Sequence, residues 1–110
     1  MTKEEALQLV EQEFAMARQA ATAGNDGMVR VCARRAAGAA IAFWLQFNER
    51  PNWRADAMSR IRHLEADPSF PQNVREAAMR LMARVTPQFT PQYANDPIED
   101  STIIIRHLLG

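Results

Sequence analysis

The stretch Arg30–Phe47 decides the fold: Arg-Val-Cys-Ala-Arg-Arg-Ala-Ala-Gly-Ala-Ala-Ile-Ala-Phe-Trp-Leu-Gln-Phe. Three arginines stand at its start, and from Ala36 through Phe47 no residue is charged. A helix with no wet side over its second half is normally buried among other helices. Small residues at Ala33, Ala36, Ala37, Gly38, Ala39, Ala40 and Ala42 let neighbouring backbones come close. Gly38 weakens a helix by about 1 kcal/mol relative to alanine, so its presence implies tight packing at that point.

Working back toward the N-terminus, Gly24-Asn25-Asp26-Gly27 is a tight connection. Gly24 suits the left-handed position after a helix end, and Asn25 or Asp26 can cap the helix that follows. So short a turn folds the second helix antiparallel on a first. That first helix opens with Thr2 and Glu5 at capping-box spacing. Its apolar stripe is Ala6, Leu7, Val10, Phe14, Ala17 and Ala21. For the second helix, about Gly27 to Phe47, the inward stripe reads Met28, Cys32, Ala36, Ala39, Phe43 and Phe47.

Toward the C-terminus, Pro51 closes a loop and Asn52 offers a cap for a third helix, Trp53 to about Glu65, with Trp53, Ala57, Met58, Ile61 and Leu64 facing in. Asp67-Pro68-Ser69-Phe70-Pro71 breaks the chain before a fourth helix, whose stripe is Val74, Ala78, Leu81, Met82 and Val85. Thr86–Asn95, with two prolines and two aromatic residues, reads as an ordered strap. Asp96, Pro97 and Glu99 then signal the start of a fifth helix, and Arg106 and His107 complement its dipole at the far end. The expectation is one all-α domain over residues 1–110, an antiparallel bundle of four to five helices.

Composition excludes several functions. Cys32 is the only cysteine and the two histidines are far apart, so neither a disulfide framework nor a zinc site is expected, and no cofactor is implied. The longest uncharged apolar run falls short of the roughly 20 residues that span a bilayer. With no leader-like start either, a soluble cytoplasmic protein is expected, with no membrane partner. Net charge is zero but unevenly spread: residues 1–26 sum to −3, residues 27–62 to +5 and the remainder to −2. The basic middle either binds an anion or pairs with the acidic first helix.

No glycine-rich phosphate loop, catalytic triad or paired metal-ligand spacing is present. Cys32 reads as a buried structural residue, and His63 and His107 as helix C-terminal residues. Arg30 and Arg34 share one helical face with Arg35 beside them. Three guanidinium groups suit a phosphate or carboxylate, and equally suit ion pairs with Glu11, Glu13 or Asp26. Trp53 and Arg54 are the further candidates on the ligand reading. Ile41, Trp44 and Leu45 fall outside the inward stripe of the second helix, which implies a second packing surface around Gly38 for a partner helix or a second copy.

The chain resembles the HEPN family (higher eukaryotes and prokaryotes nucleotide-binding domains). The likeness is carried by Ala17–Leu45 across the Gly24–Gly27 turn, by Leu64–Pro71 and Val74–Leu81, and by the Pro87–Asn95 segment leading to Asp96-Pro97. It implies an antiparallel bundle that homodimerises, as in toxin–antitoxin systems or beside a nucleotidyltransferase partner protein. Ribonuclease members carry an Arg, a short spacer, then His. Here the arginines before His63 leave spacers of zero, two and eight residues, and only Arg106 is near His107, so catalytic residues are not carried over. The reading is a non-enzymatic, homodimerising interaction module. Its alternative is a nucleotide- or RNA-binding domain that uses the arginines of the second helix.

Overall fold

Among the described residues the regular structure is five helices: α1 Lys3–Thr22, α2 Asp26–Leu45, α3 Ala57–Ala66, α4 Gln72–Met82 and α5 Pro97–Leu109. The structure is a computed structural model that describes residues 1–53, 55–83 and 96–110. Among the described residues there is no strand, and the chain is an all-α bundle as expected. The expected strap at Thr86–Asn95, together with Val85 and Arg54, lies outside the described residues.

Local chemistry sets most of the helix ends. Thr2 and Glu5 close the capping box at α1, each accepting a backbone N–H of the other. Gly24 takes φ 71°, a left-handed backbone that favours glycine, and Asn25 accepts the Met28 N–H to open α2. Asp96 caps α5 with Pro97 in its first turn. The third helix differs from expectation. It starts at Ala57 behind Asp56, whose carboxylate accepts the Ser59 N–H at 2.8 Å, and Asn52 is not its cap. Trp53 is held outside the helix by rings that stack against it, described below.

Within the bundle α2 is the hub, packing against α1, α3 and α5 and more lightly against α4. Its alanines allow this, because a helix with methyl-sized side chains can be approached from several sides. The main core joins Ala33, Ala37 and Ile41 of α2 to Ile61, Leu64, Val74, Leu81 and Ile104. A second cluster joins Ala6 and Val10 of α1 to Ala36, Ala40, Ile105 and Leu109. The buried Ser101 hydroxyl donates to the Ala33 carbonyl at 2.8 Å, tying α5 to α2 through a satisfied buried polar group.

The inward faces of α1 and α2 are rotated from those expected. Ala20 is buried in α1, whereas Leu7 and Ala21 of the expected stripe are exposed. In α2 the buried residues are Val29, Cys32, Ala33, Ala36, Ala37, Gly38, Ala40 and Ile41. Met28 is 40% exposed and Phe47 73% exposed, so neither belongs to the core. In α4, Val74, Ala77, Ala78 and Leu81 are buried.

Candidate functional site

The arginines of α2 part company in the fold. Arg34 Nε donates to the Leu81 carbonyl at 2.9 Å and its Nη2 to the Ala83 carbonyl at 3.2 Å. Arg30 Nη1 donates to the Arg80 carbonyl at 3.2 Å. These are carbonyls left over at the end of α4, which carries the negative end of the helix dipole, so two arginines of α2 act as its cap. Burial, then the neighbouring Arg30 and Arg62, pull the Arg34 guanidinium below its ordinary pKa. Arg35 lies on another side of α2, with Nε 3.3 Å from Glu13 Oε2 of α1. The three guanidinium groups therefore do not converge on one anion. The pairing with the first helix expected for this cluster holds for Arg35 alone.

The second expected surface is also redistributed. Ile41 is fully buried in the main core, which corrects its assignment to a partner contact. Its side of α2 faces α3, α4 and α5, because the inward direction of an alanine-rich helix is set by its neighbours. Gly38 is buried against α3: a Cβ built on it would meet the Ala57 Cβ at 2.7 Å. The close approach expected at Gly38 is thus made by the chain itself. Trp44 and Leu45 are partly buried against the main core.

Trp44 belongs to an aromatic group that sequence reasoning missed. Its ring centroid is 5.6 Å from that of Trp53 and 5.2 Å from that of Phe70. His63 stacks on Trp53 at 5.5 Å, and His107 meets Phe70 edge-on at 5.8 Å. Arg50 lies over Trp44 at 5.2 Å and reaches the Asp67 carboxylate at 3.3 Å. The Ser69 N–H and hydroxyl, more than Arg50, hold Asp67 below the usual carboxylate range. Both histidines do sit in last turns, as expected, but they also seal the rim of the main core. Trp53 is thereby engaged by the chain's own rings.

A different face remains open. Met28, Val31, Arg35, Gly38 and Ala42 recur along α2 at steps of three and four, the spacing of a coiled-coil seam. Beside it, Leu9, Glu13 and Met16 recur at the same steps along the adjoining edge of α1. Met28 and Val31 are 40% exposed, Leu9 and Met16 42%, and Met1 46%. These five are the larger part of the big apolar side chains left exposed among the described residues. Of these, Met1 and Leu9 line a groove of about 300 Å³ together with the small residues Gly38, Ala39, Ala42 and Ala57 and with Arg60. Glu13 and Arg35 cross it. The three-four spacing is visible in the sequence, but the alanines make every side of α2 look equally apolar.

Chemically the face is made for packing. Among the described residues there is no cluster of His, Cys, Asp and Glu that could hold a metal ion, and no helix long and apolar enough to cross a membrane. Cys32 is buried beneath the α1–α2 contact, as expected for a structural thiol. Comparison with protein-family models, with curated proteins and with solved structures finds no match to this chain.

Proposed function

We propose that this chain is a non-enzymatic, HEPN-like interaction module that homodimerises through the α1–α2 face. The observation that carries it is the exposure of Leu9 and Met16 on α1 and of Met28 and Val31 on α2, with Leu9 also lining a groove of small residues. Contiguous apolar surface rimmed by charge marks an interaction site, and methionine adapts to an irregular opposing surface. Each helix contributes 20 residues, about 30 Å of length, so the two side by side offer a face of the size that stable dimers bury. The resemblance supports dimerisation and adds a nucleotidyltransferase or other toxin–antitoxin protein as a further partner. The nucleotide- or RNA-binding alternative loses support because Arg30, Arg34 and Arg35 already have partners within the chain.

Sedimentation velocity over a concentration series tests the reading. The parent is expected to be a dimer, and Val31→Glu or Leu9→Glu a monomer with unchanged helical circular dichroism. A parent that stays monomeric at the highest concentration refutes it.

A further inference from the structure

Sulfur is spread unevenly over this fold. The single thiol, Cys32, is fully buried. Of the six methionines, Met58 and Met82 are partly buried, whereas Met1, Met16, Met28 and Met79 are each exposed by 40% or more. A two-electron oxidant in solution therefore meets thioethers before it meets the thiol. Two of those thioethers share an edge. The 3.3 Å approach of Arg35 Nε to Glu13 Oε2 marks where the outer sides of α1 and α2 border one another. Met16 lies three residues after Glu13, and Val31 and Met28 lie four and seven residues before Arg35. Such steps keep a residue on its own side of a helix. In this antiparallel pair both run toward the turn at Gly24, so Met16, Val31 and Met28 belong to the edge that the ion pair marks. Met79 stands apart on α4.

Resting on the dimer proposed above, we infer that Met16 and Met28 are a peroxide-sensitive pair whose oxidation to sulfoxides releases the two protomers from one another. The sulfur lone pair attacks one oxygen of hydrogen peroxide, and the O–O bond breaks as the S–O bond forms. The departing hydroxide takes the proton of the transferred oxygen and leaves as water. Sulfur loses two electrons and the peroxide gains them. Each sulfoxide sets a polar oxygen on a face whose part in the contact is apolar packing. Oxidation acts on the free protomer, where both side chains are open, and holds it in that state. Reduction at the expense of two thiols returns the thioether, with a disulfide and water as the other products, so the release is reversible.

Sedimentation velocity and peptide mass spectrometry on the whole chain, before and after dilute hydrogen peroxide, test this. Oxidation is expected at Met16 and Met28 ahead of Met58 and Met82, with unchanged helical circular dichroism and self-association about 10-fold weaker. Met16→Leu/Met28→Leu keeps similar apolar volume without the sulfur, so it should dimerise like the parent and stay dimeric in peroxide. Met79→Leu should lose its dimer as the parent does. In the parent, Met16 and Met28 should also oxidise more slowly as protein concentration rises, while the rate at Met79 stays constant. A protein fully oxidised at Met16 and Met28 that dimerises as tightly as before overturns the inference and leaves the dimer standing. So does a doubly substituted variant that dissociates in peroxide as readily as the parent, because the sensitivity then lies elsewhere. A parent that is monomeric before any peroxide is added removes the dimer itself, and the inference with it.

Discussion

Adding one methyl group at Gly38 should destabilise the protein, although glycine is among the poorest residues for a helix interior. The Gly38→Ala Cβ would lie 2.7 Å from the Ala57 Cβ and 3.1 Å from the Ala57 Cα, the first about 0.7 Å inside ordinary contact. Ala57 is the first residue of α3, fixed behind the Asp56 cap, and α3 sends Ile61 and Leu64 into the main core. Relief by moving α3 therefore disturbs that core. Alanine gains about 1 kcal/mol in helix propensity, while overpacking a filled site costs typically ~1–3 kcal/mol. The net is a loss of about 1 kcal/mol, a fall in Tm of roughly 4 °C for a domain of this size. Gly27 is the internal control: a Cβ there meets only Asn25 Oδ1, at 3.7 Å, so Gly27→Ala should stabilise by about 0.4–1 kcal/mol. Chemical denaturation of both variants, with Gly38→Ala/Ala57→Gly as the relieved double, decides the matter. A Gly38→Ala protein as stabilised as Gly27→Ala would refute the packing argument.

Further outcomes follow from other contacts. Asp100 is 2% exposed and hydrogen-bonds Arg80 at 2.9 Å, so Arg80→Met should destabilise by about 3 kcal/mol at pH 7 in urea unfolding, by stranding a buried carboxylate. Burial, outweighing Arg80, raises the Asp100 pKa in the fold. Its contribution to stability is therefore fully present below the unfolded-state pKa and is lost as pH rises through the folded one; Asp100→Asn should flatten that slope in acid-range unfolding curves. Replacing Arg34 with Lys should cost about 1–2 kcal/mol in thermal unfolding, because one ammonium cannot serve the Leu81 and Ala83 carbonyls as the guanidinium fork does. Ile41→Glu should abolish the folded helical signal altogether, where a surface position would only change the oligomeric state.

Legibility in the sequence follows the range of the interactions. The caps at Thr2, Asn25 and Asp96 and the left-handed Gly24 are readable because each is completed within a few residues. The start of α3 is not, since Asn52 and Asp56 are both able caps and the choice falls to rings. Trp53 stacks on His63 and packs near Trp44, which keeps it out of the helix. The arginines mislead as a group because the acceptors of Arg30 and Arg34 are backbone carbonyls some fifty residues away, and a carbonyl leaves no mark on composition. For α2 the difficulty is alanine itself. Its small hydrophobic contribution gives no sharp stripe, so the buried side is whichever side the other helices choose.

That ambiguity bears on the open face. An alanine-rich helix packs closely on every side, so α2 can hold α1, α3 and α5 and still present Ala39 and Ala42 as a shallow floor. Long thioether side chains are the natural counterpart of such a floor, and Met16 and Met28, each near 40% exposure, stand further along the same two helices. A second copy turned over this face would set its methionines above the alanines of the first. A larger residue at Ala42 would fill the floor; unlike Ala39, which packs against the cluster holding Ile105 and Leu109 of α5, Ala42 belongs to none of the core clusters. On this reading Ala42→Leu should leave the unfolding of the monomer nearly unchanged while weakening self-association. The opposite outcome, a damaged fold with intact association, would mean that the groove serves the protomer alone.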